Sequence, residues 1–207
     1  DLVGKHRGMW IIDFGVKTPI EDAAKYQMPF EYIRKVVKPE RDKERIASTR
    51  ENWWLFERQR PEMRQAISKL NRFIATPVVS KYRIFVWLHQ PTIPDAKATI
   101  FARDDDYSFG VLQSRIHGIW SLFSGSRHGD GGEQGGRPVY NISTCFETFP
   151  FPWAPGKEPK DDSHVQAIAQ AAKELVEQRE RWLNAEGLSE TEKKKRTLTN
   201  LYNRPLA

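Results

Sequence analysis

The apolar residues of this chain change period along its length. Met9-Trp10-Ile11-Ile12-Asp13-Phe14 is a β-rich run ending at Gly15 and predicts a buried strand. Thr18-Pro19-Ile20-Glu21 has the form of a helix start, with a Thr cap, Pro in the first turn and Glu three residues after the cap. Ala23, Ala24 and Tyr26 continue that short helix. A second helix is predicted from Pro29 to Val37, where Pro39 forces a break. Asn52 to Glu57 carries Trp53, Trp54 and Phe56. Pro61 then opens a helix through Leu70, with Met63, Ala66, Ile67 and Leu70 on one face.

A strand-rich section follows: Arg72 to Thr76, Tyr82 to Leu88 and Ala98 to Ala102, punctuated by Pro77, Pro91 and Pro94. Asp104-Asp105-Asp106 heads a single helical pattern through Phe109, Leu112, Ile116, Ile119, Trp120 and Phe123, its acids matching the helix macrodipole. Ser124 to Gly136 holds 6 Gly in 13 residues and reads as a flexible loop. Val139 to Ile142 resumes extended structure, and Thr148-Phe149-Pro150-Phe151-Pro152-Trp153 cannot be helical. Pro155, Gly156 and Pro159 mark a linker. Ser163 caps a long helix to about Ala185, ended by Gly187, and a final helix runs from about Glu190 to Tyr202.

The pattern amounts to an α+β fold, a mixed β-sheet flanked by helices with a helical C-terminal tail. The expected organisation is one domain over 1–153, a linker over 154–162 and a helical segment over 163–207. At 207 residues with 7 Trp, 6 Tyr and 11 Phe, the chain can bury a core of useful size, which excludes a disordered protein. No apolar run approaches the ~18 residues of a membrane-spanning helix, so no membrane partner is expected. The one cysteine, Cys145, rules out an internal disulfide framework, fits a reducing compartment and reads as a buried apolar residue. The first residue is Asp1 and no signal-peptide pattern follows, so the chain reads as a piece of something longer.

Charge narrows the partner. Arg34 to Arg72 holds 12 basic residues against 6 acids, a surplus equal to the whole net charge of +6. Clustered positive charge suits a polyanion, because each neutralised phosphate releases condensed counterions. A solvated helical face of mixed charge accounts for the same composition. Metal chemistry has no support: the five histidines are dispersed, His117 reads as a packed or polar-contact side chain, and Asp104–Asp106 reads as a solvated helix start. Glu158-Pro159-Lys160 and Glu192-Lys193-Lys194 match a nuclease fragment only by chance, since Pro94-Asp95 has no Glu-x-Lys nearby. There is no P-loop and no dinucleotide fingerprint. Cations do meet aromatics in Ser80-Lys81-Tyr82-Arg83 and in Gln113 to Trp120, and Arg127, His128 and Arg137 accompany the Gly-rich segment. Ile116 and Trp120 read as the core face of that helix, and Arg115, Arg127 and Arg137 as a nucleic-acid surface.

Several of these segments occur in an order that resembles a known family. They are Met9 to Gly15, Asn52-Trp53-Trp54 with Arg60-Pro61, Arg72 to Pro77, Val79-Ser80-Lys81-Tyr82-Arg83, Phe109 to His117, and Thr148-Phe149-Pro150-Phe151-Pro152. Together they look like the target recognition domain of MmeI-like (type IIL) restriction-modification enzymes and related adenine-specific DNA methyltransferases, over roughly residues 7–153. The helices ending in Leu198-Thr199-Asn200-Leu201-Tyr202-Asn203 resemble the start of that family's C-terminal helical region.

The resemblance implies an upstream domain that binds S-adenosylmethionine, flips an adenine and methylates N6, with a nuclease in some members. This chain contains no Pro-Pro and so no Asn-Pro-Pro-Tyr/Phe loop, and it lacks the Gly-rich cofactor motif. It is therefore expected to bind double-stranded DNA without chemistry and with no cofactor of its own. The partners implied are DNA and the methyltransferase domain of the same parent chain, in a bacterial-type cytoplasm. Lys81 and Arg83 are the candidates for phosphate contact. The Gly-rich loop and the segment to Tyr140, with Arg127 and Arg137, are those for base contact, Arg115 is the fallback, and His117 is a further DNA-binding candidate. An RNA-binding module, or a protein-interaction module with a solvated basic face, stands as the alternative.

Overall fold

The structure, a computed structural model, describes residues 2–4, 8–129 and 135–203. Two compact units divide it: Gly8–Ser68 is one, and the rest forms the other. Neither boundary falls at 153.

Gly8–Ser68 is helical, with α1 (Ile20–Ala24), α2 (Gln27–Val36), α3 (Lys38–Arg41), α4 (Ala47–Glu51) and α5 (Pro61–Ile67). Ala23, Phe30, Ile33 and Trp53 form its core, with Ile12, Phe14, Ile20 and Trp54 packed around them. The strand expected at Met9–Phe14 is not formed, because among the described residues no strand of this unit lies beside it to complete a ladder. The segment stays extended and is pinned by side chains: Arg64 Nη1 donates to Asp13 Oδ2 at 2.6 Å, and Asp13 Oδ1 accepts from the Gly15 amide. Ile12 and Phe14 pack against the core, Asp13 between them is covered by Arg64, and Trp10 is 89% exposed. Thr18 does not cap α1 either. Its hydroxyl donates to the Phe14 carbonyl, and Pro19 occupies the cap position.

The larger unit is built on a three-stranded antiparallel sheet, ordered β2 (Val86–His89), β1 (Arg72–Pro77), β3 (Ala98–Phe101). The α+β class is as expected, and the sheet is antiparallel throughout. Central β1 buries Phe73, Ile74, Ala75 and Thr76 without alternation, because both of its faces are covered. Ile74 pairs with Trp87 on one side and Phe101 on the other. The strand expected from Tyr82 begins only at Val86. Polar side chains take the backbone bonds that a ladder would have used: Gln113 Oε1 accepts from the Phe85 amide at 2.8 Å, and Thr76 Oγ1 donates to the Ile84 carbonyl at 2.9 Å.

The pattern from Asp104 to Phe123 forms two helices, α6 (Asp106–Gln113) and α7 (Arg115–Ser124). Ser114 takes extended dihedrals, and its Oγ accepts from the His117 amide, so it caps a new helix. Asp105 caps α6 through the Ser108 amide, and Asp106 pairs with Arg72 at 2.9 Å. The acidic run is thereby committed to local structure.

Beyond the short hairpin β4 (Arg127–His128) and β5 (Arg137–Pro138), a π-helical turn spans Ile142–Phe146. The tail holds α8 (Ser163–Leu183), α9 (Glu190–Lys195) and α10 (Leu198–Tyr202). Asp162, rather than Ser163, caps α8, accepting from the His164 and Val165 amides. The tail is integral to the unit: Ala172 of α8 joins Ile74, Phe85, Phe101, Phe109, Leu112, Tyr140 and Cys145 in one core. Val165 joins Tyr107, Val111 and Phe149 in a second. Gly110 permits this approach of α6 to α8, since a Cβ there would stand 2.9 Å from the Ile168 carbonyl oxygen. The segment 154–162 is held rather than free, because Arg103 binds Glu158, whose other oxygen accepts from the Gly156 amide.

Candidate nucleic-acid interface

The basic stretch Arg34–Arg72 does not present a single cationic face. Arg34 pairs with Glu31, Lys38 with Asp42, Lys43 with Glu40, Arg64 with Asp13 and Arg72 with Asp106. Most of these are helical i,i+3 or i,i+4 pairs on solvated faces, each worth at most a few tenths of a kcal/mol (~0.3–0.5). The surplus is offset only in part, because Lys35, Arg45, Arg58, Arg60 and Lys69 are exposed and have no carboxylate within ion-pairing distance among the described residues.

Three arginines on and after α7 are likewise without ion pairs among the described residues. Arg115, Arg127 and Arg137 are exposed, and among the described residues no carboxylate lies within ion-pairing distance of any of them. Residues 130–134 of the Gly-rich loop, expected as base-contact candidates, lie outside the described residues. Arg115 occupies the first turn of α7, the end at which the macrodipole disfavours a cation. Arg127 and Arg137 sit on the hairpin, where His128 pairs with Arg137 and Arg127 with Pro138. Arg127 Nη1 also donates to the Gly136 carbonyl at 3.0 Å. Gly136 is needed at that point, since a Cβ would come within 2.3 Å of the Gly129 carbonyl oxygen. Thus Arg127 and Arg137 lie on the two strands of one hairpin, opposite Pro138 and His128 respectively and so on alternate faces, while Arg115 stands at the opposite end of a 10-residue helix, ~15 Å long at the usual rise.

The base of the hairpin is tied to the sheet region. Val79 bridges Val139, the Ser80 amide donates to the Pro138 carbonyl, and the Tyr140 amide donates to the Val78 carbonyl at 2.7 Å. The Val139 amide donates to the Ser126 carbonyl, and Asn141 Oδ1 accepts from both the amide and the hydroxyl of Ser126.

His117 and Tyr140 are withdrawn from the set of DNA-contact candidates. They are 0% and 3% exposed, and their side chains close on each other, with 3.1 Å between Tyr140 Oη and His117 Nε2. His117 Nδ1 lies 2.9 Å from the Leu112 carbonyl oxygen. Burial, aided by the nearby Arg83 charge, lowers the His117 pKa to about 4, so the ring is neutral at pH 7. Burial likewise pushes the Tyr140 phenol well above its ordinary value.

Arg83 is also turned inward. Its guanidinium donates to Thr76 Oγ1 at 3.1 Å, to the Pro77 carbonyl and to the Pro138 carbonyl at 3.4 Å, and lies 5.0 Å from the Tyr140 ring centroid. Desolvation lowers its pKa to about 10, which leaves it charged at neutral pH. With its donors spent on protein oxygens, Arg83 is poorly placed for phosphate. Lys81 is exposed and donates only to the neutral Asn203 Oδ1, at 2.8 Å, so it keeps its charge available.

Ile116, expected in the core, is 74% exposed. The break at Ser114 re-phases α7 relative to α6 and leaves Ile116, Ile119, Leu122 and Phe123 facing solvent. Trp120 does pack inward, edge-on to Phe149. An exposed apolar face on a helix is invisible to periodicity, which assigns every apolar stripe to the core. Between α6, α8 and the Phe149–Pro152 segment lies an open groove of about 500 Å³, apolar apart from Gln113 and Ser114. Among the described residues no group of three or more His, Cys, Asp and Glu side chains could hold a metal ion. Among the same residues no helix is long and apolar enough to cross a membrane.

No family model matches the sequence, and no curated protein matches it. In fold the chain is similar to a solved structure of the Type IIL restriction-modification enzyme MmeI in complex with DNA. The TM-score is 0.58 and the identity 19%, over 90% of this chain and 22% of that one. The likeness is therefore one of fold, and this chain spans about a fifth of the length of the protein it matches.

Proposed function

We propose that this chain is the sequence-reading, double-stranded DNA-binding module of a DNA adenine-N6 methyltransferase or restriction-modification enzyme. The observation that carries the reading is the set of exposed arginines without a described carboxylate partner, Arg115, Arg127 and Arg137, held on a helix and a braced hairpin. The fold's similarity to a DNA-complexed restriction-modification enzyme supports it. Arginine can bind the O6 and N7 of guanine in two parallel hydrogen bonds, and lysine at the periphery, here Lys81, holds phosphate. Replacing all three arginines with alanine is expected to reduce the slope of log K against log salt by about 0.9 for every phosphate they neutralise. Arg137→Ala alone should relax discrimination by about 1–3 kcal/mol at one or two base positions, with Arg115→Ala the next in effect. Salt titrations against duplex, single-stranded DNA and RNA test the assignment. Equal or tighter binding of single strands or RNA would replace the duplex reading.

On this reading the chemistry resides in a methyltransferase domain of the same parent chain, which would bind S-adenosylmethionine in the cytoplasm of a bacterial-type cell. This chain, incubated with labelled S-adenosylmethionine and DNA, is expected to transfer no methyl group, because it encodes neither the Asn-Pro-Pro loop nor the cofactor motif. Transfer above background by the pure chain would reject that division of labour. The exposed Ile116, Ile119, Leu122 and Phe123 favour a protein contact as a second role for this face.

A further inference from the structure

We infer that Arg83, Tyr140 and His117 form a positioning network that sets the geometry of the DNA-reading arginines without touching DNA; this rests on the DNA-recognition reading above. The network begins at the sheet, where the Arg83 guanidinium bonds to Thr76 at the end of β1 and to the Pro77 carbonyl. It crosses to the hairpin through the Pro138 carbonyl, one residue from Arg137 and directly opposite Arg127 in the β4–β5 register. The Tyr140 ring lies under the same guanidinium, and its hydroxyl meets His117 Nε2. His117 then anchors the first turn of α7, two residues after Arg115, through the Leu112 carbonyl. One buried chain of contacts therefore reaches the backbone beside all three exposed arginines.

The chemistry of each link suits positioning. Only a planar fork with several donors can serve Thr76, Pro77 and Pro138 together, and lysine has no such fork. The imidazole is neutral, so one of its nitrogens must accept while the other donates. A donor hydroxyl from Tyr140 and an acceptor carbonyl from Leu112 select that tautomer. Bidentate base contacts demand placement within a few tenths of an ångström (~0.5 Å), so a hairpin that shifts slightly loses discrimination before it loses charge.

The test uses the whole chain with three substitutions: Tyr140→Phe, Arg83→Lys and, for comparison, Lys81→Ala. A duplex pool enriched on the unaltered chain from a random-sequence library is the specific probe, and the unselected library is the non-specific one. Tyr140→Phe and Arg83→Lys are expected to lower the ratio of specific to non-specific affinity by about ten-fold, the scale of a single base contact, with the salt slope retained. Lys81→Ala should do the reverse, lowering the slope by about one unit while keeping the ratio. Without DNA, the Val139 and Tyr140 amides should exchange hydrogen faster in both network variants. A ratio unchanged in both network variants, whatever happens to thermal stability, would make the network structural only. Full wild-type discrimination in Arg83→Lys would remove Arg83 from the network. An unaltered chain that shows no preference for its enriched pool would overturn the DNA-recognition reading itself, and the positioning role with it, while the exchange measurement would still report whether the hairpin is braced.

Discussion

Phe85→Ala is expected to cost about 3–5 kcal/mol of folding free energy, the range for truncating a fully buried aromatic. Phe85 has no exposed surface and sits where the elements of the larger unit converge. Its ring centroid lies 5.8 Å from Phe101 of β3, 5.5 Å from His117 of α7 and 5.8 Å from Tyr140 after the hairpin. Neighbours drawn from three separate elements cannot all relax into one void, so the cavity persists and the upper part of the range applies. Its backbone amide and carbonyl are held by Gln113 and Arg179, and these bonds keep the chain path fixed around the void. Phe123→Ala is the comparison, because its ring is 89% exposed and its loss should fall within about 0.5 kcal/mol of zero. Denaturant titration of the two variants checks the pair. A loss below about 1 kcal/mol at Phe85 would mean that this core is not packed as described.

The second large effect is a loss of stability on mild acidification, traced to His117. In the unfolded chain an imidazole titrates near 6.5, and in the fold burial lowers this one to about 4. Between those values the unfolded chain holds a proton that the folded chain does not, so lowering the pH favours unfolding. The contribution is fully present above about pH 6.5 and is lost progressively as the pH falls towards 4. At about 1.4 kcal/mol for each unit, the total is about 3 kcal/mol. The groups facing the ring do not offset this change. Arg83 remains cationic throughout the window, the Tyr140 phenol remains neutral, and the Leu112 and Cys145 backbones carry no charge. Burial alone would raise the Asp105 carboxyl, but the Ser108 amide and Arg103 hold it below its ordinary value, so it adds its own loss only at lower pH. His117→Gln should start less stable and show a flatter profile between pH 6.5 and 4. A wild-type profile that is already flat across that window would contradict a buried neutral His117.

Much of the local structure was legible in the chain itself, because its determinants are local. Pro61 at the first turn and the apolar β-rich runs at Arg72–Thr76 and Ala98–Phe101 act through φ, sterics and side-chain pattern alone, whereas the long helix ends at Leu183 with Asn184 as its cap, before the Gly187 expected to stop it. The α+β class follows from those runs, and the burial of Cys145 from its residue type. Misplaced elements had non-local or competing causes. Met9–Phe14 has the composition of a strand but no described neighbour to pair with. Asp162 rather than Ser163 takes the cap of α8, since either residue can serve and the chain direction chooses.

At the candidate site, residue types indicated cations beside a Gly-rich segment, and Arg115, Arg127 and Arg137 are indeed exposed. Only the tertiary structure decided which of the remaining candidates face inward. The residue pattern offers Arg83 and Tyr140 to DNA and leaves His117 between a packed and a contact role, yet each is satisfied by partners 5 to 55 positions away in the chain. Burial of a polar group is stable only when such partners converge, and convergence depends on the packing of β1, α7 and the hairpin. The capping hydroxyl of Ser114 illustrates the division between the two levels. Its residue type is plain in the sequence, but whether it would break a continuous apolar stripe, and so turn Ile116 to solvent, was settled by what packs against each half.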